Sequence, residues 1–293
     1  MSTITKAGFI SIIGKPNAGK STLLNALLGQ KLAITNHKAQ TTRHRIKGIV
    51  NHKDCQLVFS DTPGIIEPSY KLQEDMMHSV RESMEDADVV ILVIDATDTE
   101  IDNVVTEILN LSKVPVILAL NKIDLSGQIT VQRIVDRLSE QIKVAEVITL
   151  SALHKFNTAG LLDLLASQCP EHPAFYPEDQ LTDKTERFVA AEMIREKILT
   201  HYQQEVPYSV EVVIDSFKVK KTLVKIVAII YVERQSQKVI VIGKNGLGLK
   251  RVGTEARRDI EAFLDHKVFL ELLVKVKGKW RNDEGQLRRF GYR

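Results

Sequence analysis

Gly14-Lys15-Pro16-Asn17-Ala18-Gly19-Lys20-Ser21 sits between an apolar run, Gly8-Phe9-Ile10-Ser11-Ile12-Ile13, and a helical stretch, Thr22-Leu23-Leu24-Asn25-Ala26-Leu27-Leu28. The octapeptide fits G-x-x-x-x-G-K-[ST], and its flanks supply the strand–loop–helix setting that this pattern needs. Glycines let the backbone wrap phosphate oxygens so that successive N–H groups point inward, and the helix N-terminus adds partial positive charge. Lys20 is then placed to neutralise β- and γ-phosphates, and Ser21 to offer its hydroxyl to Mg2+. A glycine-rich turn with a chance lysine would not match every fixed position and both flanks.

The remaining composition sets the frame. The chain has 293 residues, enough for two domains, with 44% hydrophobic and 26% charged residues, as in an ordinary globular protein. Its longest apolar runs, such as Val89-Val90-Ile91-Leu92-Val93-Ile94, are strand-length and far too short to span a bilayer. Met1-Ser2-Thr3-Ile4-Thr5-Lys6 lacks an apolar signal core, which leads us to expect a cytoplasmic protein. Two cysteines, Cys55 and Cys169, without zinc-type spacing predict neither a disulfide framework nor a metal centre. Residues 1–186 carry 18 Lys+Arg against 24 Asp+Glu, whereas residues 187–293 carry 22 against 13. A basic second half beside an acidic first half suggests that only the second meets a polyanion.

Residues 8–13, 45–50, 55–60, 89–94, 115–120 and 146–150 read as strands, and 22–28, 102–112 and 129–142 as amphipathic helices. This alternation predicts an α/β domain over residues 1–170, with a mostly parallel sheet and helices on both faces. The pair 45–50 and 55–60, split by Asn51-His52-Lys53-Asp54, reads as a hairpin that adds one antiparallel edge strand. Three prolines without periodicity follow Cys169, so 171–184 is expected to be a linker. In 185–293, Phe188, Ala191, Ile194, Ile198 and Tyr202 mark an amphipathic helix over 185–203, and 208–217, 222–233 and 267–277 read as strands.

Three further segments of the first half specify a nucleotide. Asp61-Thr62-Pro63-Gly64 follows the strand Gln56-Leu57-Val58-Phe59-Ser60. An acidic residue there can hold Mg2+ through a water, and the Gly64 N–H can bond a γ-phosphate, whose loss would release the following segment. Asn121-Lys122-Ile123-Asp124 follows Val116-Ile117-Leu118-Ala119-Leu120. The Asp124 carboxylate can accept from the N1–H and 2-amino group of guanine, which adenine cannot match. Asn121 can bond the base edge and the phosphate loop, and the Lys122 stem can cover the base plane. Backbone N–H groups of Ser151-Ala152-Leu153 can meet guanine O6. Singly these segments also read as a turn, an Asn-capped loop and nothing specific; their order narrows the ligand to a guanine nucleotide.

With these motifs, residues 6–170 resemble the translation-factor-related small GTPases. The resemblance makes Lys38-Ala39-Gln40-Thr41-Thr42-Arg43-His44-Arg45 the first switch, whose threonine ligates Mg2+ in the GTP state. Thr42 is the expected ligand, with Thr41 as the alternative, beside Ser21 and Asp61. The catalytic set it implies is Lys20, Thr42, Gly64 and Asn17. After Gly64 stands Ile65, where Ras-like members carry the glutamine that orients attacking water. The resemblance offers Asn17 as a compensation, since relatives with G-x-P-N-x-G-K-S use that asparagine to hold K+ near the β/γ bridge.

In the basic half, Gly243-Lys244-Asn245-Gly246 separates Gln237-Lys238-Val239-Ile240-Val241-Ile242 from Leu247-Gly248-Leu249-Lys250-Arg251-Val252. A G-x-x-G turn between two helices lets a sugar–phosphate backbone approach closely. Lys244, Lys250 and Arg251 would contact phosphates, and Ile240, Ile242, Leu249 and Val252 would form an apolar floor beneath the bases. Residues 238–242 have strand propensity, but an apolar run ending in I-G-x-x-G closes a helix in KH domains, so helix is expected. The resulting order α-β-β-α-α-β resembles an α+β type II KH domain.

A GTPase domain followed by a type II KH domain resembles the Era family of GTPases over essentially the whole chain, including Val206-Pro207-Tyr208-Ser209-Val210 and Leu287-Arg288-Arg289-Phe290-Gly291-Tyr292. The resemblance implies a monomeric GTP/GDP switch with Mg2+ and K+. Ordering of 35–45 and 64–80 by GTP would govern KH-domain binding to the 3′ region of 16S rRNA during 30S subunit assembly. It also implies a peripheral association with the inner membrane. The rival readings are an RNA-binding protein with a structural nucleotide, a membrane-surface GTPase and a tRNA-directed GTPase.

Overall fold

Cys55–Asp61 is buried along its whole length, and so is Val116–Asn121. Strands covered on both faces read as continuous apolar runs and belong to the interior of a parallel sheet. The structure, a computed structural model, describes residues 4–110 and 112–292. It divides into one unit comprising residues up to Ser69 with Gln73–Asp183, and another comprising Tyr70–Leu72 with the residues from Lys184 onward.

In the first unit the elements are β1 (Lys6–Ile13), α1 (Lys20–Leu28), β2 (Ile46–His52), β3 (Cys55–Asp61), α2 (Lys71–Glu85, all but its first two residues), β4 (Val89–Asp95), α3 (Asn103–Asn110), β5 (Val116–Asn121), α4 (Gln128–Gln141), β6 (Glu146–Thr149) and α5 (Thr158–Gln168). The strands run in the order β2-β3-β1-β4-β5-β6. All pairs are parallel except β2 with β3. The expected hairpin is present, but pairing continues to His52 and Cys55, which leaves only Lys53-Asp54 as the turn. α2 was not marked in the sequence reading. Its buried Met76, Met77, Val80 and Met84 lie among charged residues, and Ser83 Oγ lies 2.7 Å from Ser11 Oγ of β1.

The parallel order puts the carboxyl ends of β1, β3, β4, β5 and β6 at one edge of the sheet, and the motif segments follow β1, β3, β5 and β6. The four nucleotide-motif segments therefore leave the sheet side by side, where ligands bind in open α/β sheets.

Residues 171–184 are not a free tether. Ile49 N–H donates to Leu181 O at 2.8 Å, Thr182 Oγ1 donates to Lys47 O at 2.6 Å, and Gly48 bridges Thr182. Tyr176 exchanges two hydrogen bonds with Gln56, and Phe175 packs on Phe9. β2 is an edge strand with open N–H and C=O groups, and this segment covers them.

In the second unit the elements are α6 (Glu186–His201), α7 (Val206–Ser209), β7 (Glu211–Val219), β8 (Val224–Val232), α8 (Gln235–Ile242), α9 (Leu247–Leu264), β9 (Val268–Val276) and α10 (Glu284–Arg289). β7 is antiparallel and β9 parallel to the central β8. The expected strand at 208–217 starts only at Glu211, because Pro207 opens the short α7. α6 also departs from expectation. It is buried nearly all round, including Glu192, Arg195 and Glu196, because the Arg195 guanidinium meets the Glu192 carboxylate through two bonds of 2.6 and 2.7 Å. Among the described residues no helix is long and apolar enough to cross a membrane.

Candidate nucleotide and nucleic-acid sites

α1 begins at Lys20 behind Gly19, whose φ of 98° is left-handed and suits glycine. A side chain there would also strike Asn121, since its Cβ would lie 2.2 Å from Nδ2. Lys20 is buried, and its ammonium donates to Gly14 O at 2.9 Å and Lys15 O at 2.7 Å. Burial lowers its pKa to about 8, with Asp61 pulling the other way. The Lys15 side chain turns outward to Asp102 at 3.2 Å and Asp98 at 3.7 Å, so it contributes backbone to the loop.

Ser21, Thr42 and Asp61 converge. Ser21 Oγ donates to Asp61 Oδ2 at 2.7 Å and lies 2.7 Å from Thr42 Oγ1, which is 3.4 Å from the same carboxylate oxygen. Thr41 instead donates to Lys38 O at 2.6 Å within its own loop. Of the two threonines, Thr42 is thus the one whose hydroxyl stands beside Ser21 and Asp61. Asp61 is fully buried, and its Oδ1 has no hydrogen-bond partner. Burial pushes its pKa up to about 6, opposed by hydrogen bonds from Ser21 and Thr42 and by the Lys20 charge. An orphaned carboxylate oxygen beside two hydroxyls is a hard-oxygen donor set that suits Mg2+.

Ser21 and Thr42 border a cavity of about 410 Å³ lined also by Pro16, Asn17, Lys20 and Gly64, among others, with Asp61 buried behind them. Lys38 lines it as well and is buried, which lowers its pKa. This second cation was missed as a functional residue, although it sits in the segment read as a switch. Thr62 Oγ1 is tied to Ile12 O at 2.7 Å. Gly64 lies so close to the phosphate loop that a Cβ would sit 2.7 Å from Pro16 N. Ile65 N–H donates to Gly14 O at 3.0 Å while its side chain is buried, so that side chain anchors the segment and does not face the cavity.

Asn121 ties three segments together. Its Nδ2 donates to Ala18 O and its Oδ1 accepts from Ala152 N–H, both at 2.9 Å. The Ala152 amide, expected to face guanine O6, is thus engaged in locking Asn121. Lys122 reaches Asp95 Oδ2 at 2.5 Å, a partner that the sequence reading did not identify. Asp124 has His154 Nε2 at 3.7 Å, and Leu153 is exposed.

In the second unit α8 is a helix despite its strand-like composition. Gln237 Oε1 accepts from the N–H groups of Glu233 and Arg234 at 3.0 and 2.9 Å, which caps its start. The G-x-x-G turn follows, with Gly243, Asn245 and Gly246 at φ of 72°, 53° and 77°. A Cβ on Gly243 would meet Gly248 N at 2.9 Å. Tyr202 OH donates to Val241 O at 2.7 Å beneath the turn. Lys244, Lys250 and Arg251 are exposed, and Ile242 and Leu249 are half-buried. Val239, Ile240 and Leu247 stand 63%, 49% and 62% exposed. Of the expected apolar floor, Val252 is wrong: it is fully buried with Ala256 and Ile260 on the core face of α9. Val239 and Leu247 take the exposed positions that the sequence reading overlooked.

The family model described as 50S ribosome-binding GTPase matches residues 9–122, and the KH domain model matches residues 205–281. GTPase Era of Ruminiclostridium cellulolyticum is 43% identical over 292 residues, 98% of each chain. Two crystal structures are similar along the whole length: Era in complex with MgGDPNP and nucleotides 1506–1542 of 16S ribosomal RNA, and an Aquifex aeolicus Era variant bound to GDP·AlF4−. Each has a TM-score of 0.94 at 38% identity and covers 98% of this chain and 99% of its own.

Proposed function

The chain belongs to the Era family of GTPases, and from that premise we propose a GTP-hydrolysing switch that binds the 3′ region of 16S rRNA and acts in 30S subunit assembly. The observation that carries the nucleotide half is the convergence of Ser21 Oγ and Thr42 Oγ1, at the wall of the cavity that Lys20 borders, on the buried Asp61 carboxylate. The Ser21 and Thr42 hydroxyls would hold Mg2+ directly and Asp61 would hold it through a water; once bound, the ion neutralises charge on the β- and γ-phosphates.

This chain's own residues do the rest. The ammonium of Lys20 leaves the Gly14 and Lys15 carbonyls for phosphate oxygens. The Gly64 N–H bonds the γ-phosphate, so release of that phosphate frees the residues after it. Asp124 reads N1–H and the 2-amino group of guanine, Asn121 holds the Ala18 and Ala152 segments around the base, and Ser151-Ala152-Leu153 close its edge. Ile65 cannot orient water. We assign Asn17, exposed at the rim of the cavity, to a K+ that would add charge near the β/γ bridge. Hydrolysis is then faster in KCl than in NaCl, and equal rates would remove the ion from the mechanism.

For the RNA half, Gly243-Lys244-Asn245-Gly246 with Lys250 and Arg251 would grip the backbone. Ile240, Ile242 and Leu249, joined by Val239 and Leu247, would support the bases. The test is titration of a labelled oligonucleotide from the 16S rRNA 3′ end into protein loaded with MgGDPNP and then with GDP. Tighter binding in the GDPNP state is expected. Equal binding would leave two uncoupled sites, and no binding in either state would sink the rRNA assignment.

A further inference from the structure

Asp95 ends β4 and lies directly beside Asn121 in the parallel pairing of β4 with β5. Asn121 O accepts from Ala96 N–H at 2.9 Å, so the loops that leave the two strands are stitched together at their first residues. Thr97 fixes one Asp95 oxygen twice, with N–H to Oδ1 at 2.8 Å and Oγ1 to Oδ1 at 2.7 Å. The other oxygen receives the Lys122 ammonium at 2.5 Å. Burial alone would raise the Asp95 pKa, but the bonds from Lys122 and Thr97 outweigh it and hold the carboxyl below its ordinary value. Lys122 itself is held at φ 62° at the entry to the 3₁₀ turn Ile123–Leu125, which carries Asp124. It also lines the nucleotide cavity.

We propose that Asp95 is a positioning residue of the guanine site: its carboxylate anchors the Lys122 ammonium so that the lysine stem is already laid down where the base plane packs. The argument is one of preorganisation. A lysine side chain has many rotamers, and freezing them when a ligand arrives weakens binding. Here the chain ends are tied before the ligand arrives, because Thr97 locks the carboxylate and the carboxylate locks the ammonium. The apolar stem between those fixed points has nothing to rearrange. Asp95 touches neither phosphate nor base in this scheme and acts only through Lys122.

The inference rests on the guanine-site reading above, and the test separates the two. Dissociation constants for GDP and IDP are measured by equilibrium titration of the full chain with Mg2+, for wild type, Asp95→Asn, Lys122→Met, the double variant and Thr97→Val. The expected result is that Asp95→Asn and Lys122→Met each weaken GDP about three- to tenfold, the effect of immobilising one long side chain at binding. The double variant should be no weaker than the worse single one, since both remove the same contact. Inosine lacks the 2-amino group read by Asp124, so an effect carried by the stem weakens IDP by the same factor as GDP. Thr97→Val keeps the charge and loses one bond, and it should shift GDP affinity in the same direction by less; this variant serves if Asp95→Asn fails to fold. Unchanged GDP affinity in Asp95→Asn, multiplying effects in the double variant, or a loss for GDP that IDP does not share would each overturn the inference. Wild type that failed to bind GDP would instead overturn the guanine-site reading itself.

Discussion

Replacing Asp61 with asparagine is expected to stabilise the ligand-free first unit while removing its response to Mg2+ and nucleotide. The Asp61 carboxyl is fully buried, and its pKa is pushed from 3.8 up to about 6 by burial, against the pull of Ser21, Lys20 and Thr42. A displacement of that size corresponds to about 3 kcal/mol of unfavourable free energy once the group is ionised in both states. Because the folded value lies above the unfolded one, the penalty is absent below about pH 3.8, grows as pH rises, and is complete above about pH 6. Asparagine is neutral throughout and escapes it.

Two effects offset part of the gain. The asparagine NH2 would occupy the place of Oδ1, which has no partner, and an unsatisfied buried donor costs about 1–2 kcal/mol. Lys20 also loses the neighbouring carboxylate that opposes the fall of its pKa. The net expectation is a gain of about 1 kcal/mol at pH 7.5, which vanishes or reverses by about pH 4. Trp280, the only tryptophan, is buried in the second unit, so its fluorescence would follow the wrong unit. Amide hydrogen exchange of β1 and β3 peptides, compared between variant and wild type at each pH, reads the right one. Wild type should gain further protection from MgGDPNP, and the variant should gain little. A variant less protected than wild type at pH 7.5, or a difference that does not change with pH, would refute the reasoning.

The other predictions concern single contacts. Thr42→Ala should lower GTP hydrolysis on the order of a hundredfold, the usual effect of removing one group that stabilises transition-state charge, and Thr41→Ala should not, because its hydroxyl is turned to Lys38 O. Gly64→Ala would drive a Cβ against Pro16 N at 2.7 Å and Pro16 Cα at 2.8 Å, both backbone atoms. The segment must yield and carry its N–H away from the γ-phosphate. Single-turnover hydrolysis should fall on the order of a hundredfold, with GDP affinity nearly intact. Lys250→Glu should weaken the 16S rRNA oligonucleotide whatever its bases and flatten the salt dependence of binding by about one phosphate contact. Ile240→Ser, which adds no charge, should weaken binding without changing that slope.

The phosphate loop, the Asp61 turn and the Asn121 loop were legible because each is a short run whose spacing is set by its own backbone. Once the parallel order was read from the strand pattern, their meeting at one edge followed. The resemblance favoured Thr42 over Thr41, but composition could not, since adjacent residues of one loop differ in which way they point; in the structure it is the Thr42 hydroxyl that stands beside Ser21 and Asp61. Asp95 was illegible for another reason. It is an acidic residue ending an apolar strand, and its role comes from the pairing of β4 with β5 across an intervening helix. The strap formed by 171–183 shares that difficulty, because its partners are the open groups of an edge strand more than a hundred residues earlier.

The second unit shows where local propensity and function part. Lys238-Val239-Ile240-Val241-Ile242 is β-branched and strand-like, yet it is helical, closed at one end by Gln237 and at the other by the glycine turn. Only Val241 of its apolar residues is fully buried, so core packing does not account for the rest. Val239 and Ile240 are held exposed on a helix whose sequence does not favour it, and the proposed RNA surface would account for that. The error at Val252 has the same root. The sequence reading counted apolar residues near the loop as floor, whereas the helical period of α9 assigns Val252, Ala256 and Ile260 to the core and leaves Leu247 facing outward. The 3.6-residue period, applied one turn further along α9, would have separated the two faces, and it would have moved the predicted base contacts from Val252 to Leu247.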